Sequence, residues 1–134
     1  MTLGVRGAIF NPQGQVFLVR HSYVAGWYLP GGGVEPGETL AEALARELME
    51  EGGIALDAPA QLFGVYLNKG ASRRDHVALF VSHAGKQVKR PRIPNLEIID
   101  YGFHGLDALP EQTSMATRRR LAEIEQGLAA SAEW

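Results

Sequence analysis

The sequence has no cysteine, no long apolar segment and no marked excess of charge of either sign. Without cysteine there is no disulfide framework, thiolate zinc site or cysteine nucleophile. The longest apolar stretches, residues 16–19 and 77–81, fall far short of the roughly 20 residues that a membrane span needs. With 13 basic and 15 acidic residues, the chain has no overall basic field to attract nucleic acid. The first residues lack a signal-peptide pattern, so we expect a cytoplasmic protein without a membrane or nucleic-acid partner.

Glycine is the residue in excess, at 16 of 134 positions, in a chain whose length predicts a single domain over residues 1–134. Seven of these glycines lie between Gly26 and Gly53, a segment that also holds six glutamates and a single base, Arg46. Like charges at this density destabilise a fold unless water or a cation screens them. A solvated acidic helix and a cation site are both open interpretations at this point.

Apolar patterning and turn signals predict an α/β fold, with a mixed sheet and helices packed on its faces. The Asn-Pro-Gln-Gly turn at residues 11–14 predicts that the first two strands form a hairpin. A short extended piece is expected at residues 27–29. Strands are predicted at residues 3–10, 15–20, 61–67, 76–82 and 97–103, and loops at residues 31–37 and 86–94.

Two helices are predicted, at residues 40–51 and 113–127. Thr39 is a good N-cap for the first and forms a capping box with Glu42, while Gly52 and Gly53 end that helix. In the second helix the apolar residues Met115, Leu121, Ile124 and Leu128 fall on or near one face, and we expect Arg118, Arg119 and Arg120 on an exposed face.

Three glutamates of the first predicted helix share one face. Glu47, Glu50 and Glu51 stand at i, i+3 and i+4, within an arc of roughly 100 degrees. They repel one another, and Arg46 alone cannot neutralise all three. Such oxygen ligands suit Mg²⁺ or Mn²⁺, ions that bridge to substrate phosphates. The residues alone therefore suggest a divalent-metal site for a phosphorylated ligand, and a solvated acidic face remains open beside it.

The same segment resembles the Nudix box. Gly32, five residues, Glu38, seven residues and then Arg-Glu-Leu-Met-Glu-Glu-Gly-Gly-Ile at 46–54 match the pattern at every defined position. The Trp-Tyr-Leu-Pro approach at 27–30 and the Leu-Asp-Ala-Leu-Pro stretch at 106–110 are also similar to the family. The resemblance implies an α/β/α sandwich with a mixed sheet. It further implies a hydrolase that uses Mg²⁺ or Mn²⁺ to cleave the pyrophosphate of a nucleoside diphosphate linked to another moiety.

Carried over position by position, the resemblance implies that Glu47, Glu50 and Glu51 are the metal ligands, together with a backbone carbonyl near Gly31 or Gly32. It also implies that Gly32, Glu38 and Gly53 shape the loop and the helix ends, and that Arg46 orients a glutamate.

The general base differs across the family. Glu50 or Glu51 on the helix is one choice, and Glu97, outside the box, is the other. A surface acid at a strand edge is an equally open interpretation of Glu97.

Five further residues are candidates for binding the substrate. Trp27 and Tyr28 precede the glycine-rich loop, where they would stack on a base or belong to the core. Arg20 ends a strand facing the same loop, and Arg73 and Arg74 are candidates for phosphate binding or for a solvated loop tip. The four histidines show no metal-ligand spacing and are interpreted as structural or surface residues.

We expect a divalent-metal-dependent pyrophosphohydrolase that acts on a small nucleotide or nucleotide sugar. Residues 69–72 lack the proline or tyrosine that some subfamilies place there, which weakens ADP-ribose and dinucleoside polyphosphates as substrates. A non-catalytic nucleotide-sensing domain is the alternative, disfavoured by the complete set of acids. An enzyme for RNA 5′ ends would need a larger basic surface. Many family members dimerise, so the resemblance also allows a homodimer.

Overall fold

The computed structural model describes residues 2–134, which form nine strands in three sheets and two helices. In chain order the elements are β1 Thr2–Ile9, β2 Val16–His21, β3 Trp27–Tyr28, β4 Gly31–Gly33, α1 Leu40–Gly52, β5 Ile54–Leu56, β6 Gln61–Leu67, β7 Asp75–Ser82, β8 Gly85–Gln87, β9 Ile98–His104 and α2 Met115–Gln126.

The largest sheet has the strand order β4-β1-β7-β6. It is mixed, because β1 and β7 are parallel while the other pairs are antiparallel. The other sheets are β3-β2-β9 and β5-β8.

Side chains of β1 and β2 alternate between two separate cores. Val5 and Phe17 belong to one core, where they meet Leu44 and Leu48 of α1. Ala8 and Leu18 belong to the other, which contains Leu121 of α2. Because successive residues of a strand point to opposite faces, the two helices cover opposite sides of the strand layers. The predicted α/β/α sandwich with a mixed sheet is confirmed.

The predicted hairpin between the first two strands is wrong. One isolated bridge joins Phe10 to Val16 beside the turn. Beyond that bridge the two strands do not pair, because β1 belongs to one sheet and β2 to another. β2 is buried on both faces from Val16 to Val19, so its apolar run carries no sign of which strand lies beside it. The turn signal therefore located the change of direction but not the pairing.

The predicted loops at 31–37 and 86–94 each contribute a short strand. Gly31, Gly32 and Gly33 pair antiparallel with residues 4–6 of β1. Gly31 has φ 153°, and a Cβ there would overlap the carbonyl oxygen of Val5, so this pairing requires glycine. Likewise β8 pairs with β5. Strands of three residues are too short to show a period in sequence.

Helix α1 matches its prediction closely. Thr39 caps it and completes the capping box with Glu42, and Gly53 ends it in the left-handed conformation at φ 63°. Helix α2 departs from its prediction, because Met115 and Leu128 are 67% and 52% exposed. No helix within residues 2–134 is both long and apolar enough to cross a membrane.

The expectation of an exposed arginine face on α2 is wrong for Arg120, which is 1% exposed. Its Nε lies 2.9 Å from Oε1 of Glu123, and its guanidinium lies 4.5 Å from the ring centroid of Tyr66 and 5.3 Å from that of Trp134. Glu123 is three residues away in the same helix, but Tyr66 and Trp134, which cover the guanidinium, lie outside α2, so a run of arginines does not reveal the burial.

The glycine requirement of β4 predicts a large difference between two neighbouring substitutions. Gly31→Ala should lower the free energy of unfolding by more than about 1 kcal/mol, because the new Cβ meets the β1 backbone in a conformation that alanine rarely adopts. Gly33→Ala is the matched control, since no described atom outside its neighbours lies within 4 Å of a Cβ there. Its effect should stay within about 0.5 kcal/mol. Urea unfolding followed by circular dichroism measures both, and equal effects would contradict the close packing of β4.

Candidate active site

The acidic face of α1 lies against β4 and the end of β2. Glu51 is 3% exposed, and its Oε1 accepts a hydrogen bond of 2.7 Å from the backbone N–H of Gly31. Nε2 of His21, the last residue of β2, lies 3.8 Å from Oε2 of Glu51. The helix carboxylate therefore meets the glycine strand and a buried imidazole at one point.

Arg46 holds the exposed half of this acidic face together. Its Nε and Nη2 donate to both carboxylate oxygens of Glu38, at 2.7 and 2.9 Å, in the paired geometry that arginine favours. Nη1 donates to Glu47 at 2.9 Å, and Nη2 also donates to the carbonyl of Gly33 at 3.0 Å. Glu50, 55% exposed, is 3.6 Å from Nη1. One guanidinium thus fixes the loop and Glu47 relative to the helix.

Burial and like charge act together on the two inner carboxyls. Burial is the main cause that raises the pKa of Glu51, to about 8, and the negative charges of Glu47 and Glu97 raise it further. Burial also raises the pKa of Glu47, with contributions from Glu50 and Glu97 that Arg46 opposes. Both carboxyls therefore lie in surroundings that disfavour negative charge.

The donor set fits a hard divalent cation in its chemistry. Among the side chains that the structure describes, no three or more His, Asp or Glu groups are gathered closely enough to hold a metal. Glu47, Glu50 and Glu51 nevertheless carry carboxylate oxygens, the kind of donor such a cation prefers, and Gly32 lies so close to Glu47 that a Cβ would be 2.5 Å from its Oε1. A cation would stabilise the negative charges of Glu47 and Glu51, which burial and, to a lesser extent, the neighbouring carboxylates disfavour.

A cavity of about 620 Å³ adjoins Glu51 through His21, which is one of its lining residues. Arg6 also lines it and is fixed by a hydrogen bond of 3.0 Å from Nη1 to the carbonyl of Leu29. Nδ1 of His21 is buried and has no hydrogen-bond partner within residues 2–134. Since buried polar atoms are usually paired, a water or ligand atom would be expected to satisfy it.

The predicted substrate-binding residues separate in space. Tyr28 lines the cavity, whereas Trp27 packs against the second core with its ring 5.1 Å from that of His104. Arg20 is exposed on β2, and Arg73 and Arg74 are exposed in the loop before β7, all outside the cavity lining.

Exposed Glu97 precedes β9, where its carbonyl accepts the N–H of Ser22 at 2.8 Å. This contact brings Glu97 to the loop after β2, on the side of the acidic face.

Several lining residues were not singled out as substrate contacts from the sequence. Arg6, Tyr23, Asn68 and Trp134 come from a strand, two loops and the segment after α2, and they share no spacing. Only the fold brings them together. For His21 the sequence did offer one indication of a place in the site, because this residue ends a predicted strand shortly before Trp27 and Tyr28.

A glutamate-bearing helix beside a glycine strand, within an α/β/α sandwich, defines the Nudix type of fold. The model of the NUDIX domain family matches residues 1–123, and the chain belongs to this family.

Solved structures and curated relatives agree with that assignment. A MutT NUDIX hydrolase from Burkholderia pseudomallei is similar with a TM-score of 0.76 and 29% identity, over 92% of this chain and 97% of that one. A putative 8-oxo-dGTP diphosphatase of Bacillus subtilis (strain 168) is 37% identical over 86 residues, which are 64% of this chain and 56% of that protein. An RNA pyrophosphohydrolase of Serratia proteamaculans (strain 568) is 47% identical over 47 residues, 35% of this chain and 27% of that protein. The matches thus span just over half of the Bacillus subtilis protein and about a quarter of the Serratia proteamaculans protein.

The Arg46–Glu38 pair predicts a specific dependence of stability on pH. Hydrogen bonds from Arg46 are the main cause that lowers the pKa of Glu38 from 4.5 to about 2. A carboxyl whose pKa is lower in the folded state than in the unfolded state stabilises the fold at a pH above its unfolded pKa. This contribution is lost as the pH falls from about 5 to about 2. Urea unfolding should therefore show a difference between the native protein and Glu38→Gln that shrinks across this interval.

The same series in an Arg46→Met background is the control, where the difference should change much less with pH, since only the N–H of Glu35 still donates to Glu38. A difference that stays constant from pH 5 to pH 2 in the native background would contradict the role of this pair.

Proposed function

We propose that this chain is a divalent-metal-dependent pyrophosphohydrolase for small nucleotide-type substrates, built as one domain over residues 1–134. The observation that carries the proposal is the position of buried Glu51, hydrogen-bonded to Gly31, beside a cavity of about 620 Å³. A carboxylate face and an adjoining cavity offer places for the phosphates and for the rest of a substrate. Membership of a family whose relatives include named diphosphatases and pyrophosphohydrolases supports the reaction class.

Glu47, Glu50 and Glu51 are the residues that would hold Mg²⁺ or Mn²⁺, with the backbone carbonyl of Gly32. When bound, such an ion withdraws charge from phosphate oxygens and lowers the pKa of attached water. Arg46 keeps Glu47 oriented through their hydrogen bond of 2.9 Å, so it acts through that glutamate and not on the substrate.

The proton acceptor is one of two kinds of group in this proposal. One choice is a residue of helix α1, where Glu50 or Glu51 would accept the proton of the attacking water. The other is Glu97, which precedes β9. Glu97 is exposed and its charge acts on both Glu47 and Glu51, which supports its nearness to the reacting groups.

The substrate proposed is a nucleotide or a nucleotide sugar. The Bacillus subtilis relative is named for 8-oxo-dGTP, and Tyr28 gives the cavity an aromatic wall. The Serratia proteamaculans relative is named for RNA, but the net charge of −2 offers little attraction to a polynucleotide. A cytoplasmic location and a homodimer stay predictions.

Hydrolysis of a compound panel tests the proposed activity directly. We expect Mg²⁺-dependent cleavage to a 5′-monophosphate and a second phosphorylated product for at least one of dNTPs, 8-oxo-dGTP, nucleoside diphosphate sugars, ADP-ribose, dinucleotides and 5′-triphosphate RNA, and loss of that cleavage with EDTA. Glu51→Gln should lower kcat by about 10²-fold or more. Glu125→Gln, an exposed glutamate of α2, is the matched control and should stay within about threefold of the native enzyme.

A native protein that turns over no compound in the panel would favour the nucleotide-sensing alternative over hydrolysis.

The choice of base is tested by Glu97→Gln. If Glu97 accepts the proton, this change should lower kcat by about 10²-fold or more without altering the fold. Steady-state kinetics on the best panel compound measures kcat, and circular dichroism checks the fold. A loss smaller than about threefold would assign the role to the box helix.

A further inference from the structure

The segment after α2, residues 128–134, folds back along the edge of the largest sheet. The N–H of Leu67 in β6 donates to the carbonyl of Ala132 at 2.8 Å, and the N–H of Trp134 donates to the carbonyl of Leu67 at 2.9 Å. The segment therefore occupies part of the free edge of β6. It lies beyond residues 1–123, the part that the family model matches.

A buried ion pair anchors this segment. Arg120 donates to Glu123 at 2.9 and 3.2 Å, and its Nη1 donates to the carbonyls of Glu133 and Trp134 at 3.1 and 2.5 Å. Glu123 in turn accepts from the hydroxyl of Tyr66 at 2.9 Å and from the N–H of Ser131 at 3.2 Å. Apart from the bonds between them, Arg120 and Glu123 thus form hydrogen bonds with residues 131–134 and with Tyr66 of β6.

Stability alone does not explain such a network. Apolar side chains of similar volume often stabilise a core as well as a buried ion pair does. What the ion pair adds is a fixed position for the segment, because its hydrogen bonds have direction. The question is then which side chain the network positions.

Trp134 is the side chain that connects this network to the site. Its ring lies edge-on to Tyr66, with centroids 5.3 Å apart, and faces the Arg120 guanidinium. It also lines the cavity of about 620 Å³ that adjoins Glu51 through His21. Tyr23 and Tyr28 line the same cavity, so aromatic residues from distant parts of the chain bound one space.

We propose that Trp134 contacts the non-phosphate, planar aromatic part of the substrate, and that Arg120 is the positioning residue that holds Trp134 there. This inference rests on the proposed function, since it assigns one wall of the same site. A tryptophan ring offers a large flat face to such a group. Trp134 lies outside residues 1–123, so the family match does not assign it this role.

Kinetic constants separate this role from a merely structural one. With the panel compound that the native enzyme turns over fastest, Trp134→Ala should raise KM about 10-fold, the size expected for losing an aromatic contact with a base, and leave kcat within about threefold. Trp134→Phe should restore most of the affinity. Leu128→Ala is the matched control, because Leu128 belongs to the same segment and is 52% exposed away from the cavity.

Arg120→Met should raise KM to the same extent, and adding it to Trp134→Ala should change KM no further. If Arg120→Met does not fold, Arg120→Lys is used in its place.

Direct contact is measured by NMR of the two tryptophan indole N–H groups, assigned with Trp134→Phe. The probes are the panel compounds, with Ca²⁺ in place of Mg²⁺. We expect a shift of the Trp134 signal, with Trp27 as the internal reference.

The outcomes distinguish the two proposals. Turnover by the native enzyme, with an unchanged KM in Trp134→Ala or an unshifted Trp134 signal, overturns this inference and leaves the proposed function intact. A shifted Trp134 signal without any turnover supports the contact and overturns hydrolysis. Neither turnover nor a shift overturns both.

Discussion

The hydrogen bond from the N–H of Gly31 to the buried carboxylate of Glu51 is the interaction on which the site depends. It joins the last turn of α1 to the strand that precedes the loop, and it exists only because β4 lies flat against β1. That close approach needs glycine, since a side chain at Gly31 would overlap the carbonyl oxygen of Val5. Backbone geometry therefore decides where the innermost acid lies, 3.8 Å from the imidazole of His21, which lines the cavity.

Arg46 divides the acidic segment into two electrostatic environments. Its guanidinium contacts Glu38, Glu47 and the more exposed Glu50, while Glu51 is left to a backbone N–H and a nearby imidazole. The charge of Glu38 is thus stabilised by a cation of the chain itself, whereas burial disfavours the charges of Glu47 and Glu51, and Arg46 offsets this only at Glu47. A single net charge for the segment conceals this division, which only the contacts display.

Local signals in the sequence predict local structure well here and long-range structure poorly. The capping box at Thr39 and the glycine at Gly53 depend on residues within a few positions of one another, and both are found in the structure. The partners of β1 and β2, the strand at Gly31–Gly33 and the burial of Arg120 depend on residues far along the chain. Most residues that line the cavity could not be predicted from the sequence for the same reason. They become neighbours only after folding, so their spacing along the chain does not indicate that they share a site.

The parallel pairing of β1 with β7 has a consequence for how the chain acquires its structure during synthesis. Thr2 pairs with Asp75, so the first strand to be made has its main partner more than 70 residues later. At translation rates of about 5–20 residues per second, that partner follows roughly 4–15 s behind. During this interval the apolar strand can pair only with β4, and one of its edges remains open. Completion of the largest sheet is therefore a late, non-local event, and the nascent chain is exposed to association with other chains until β7 is made.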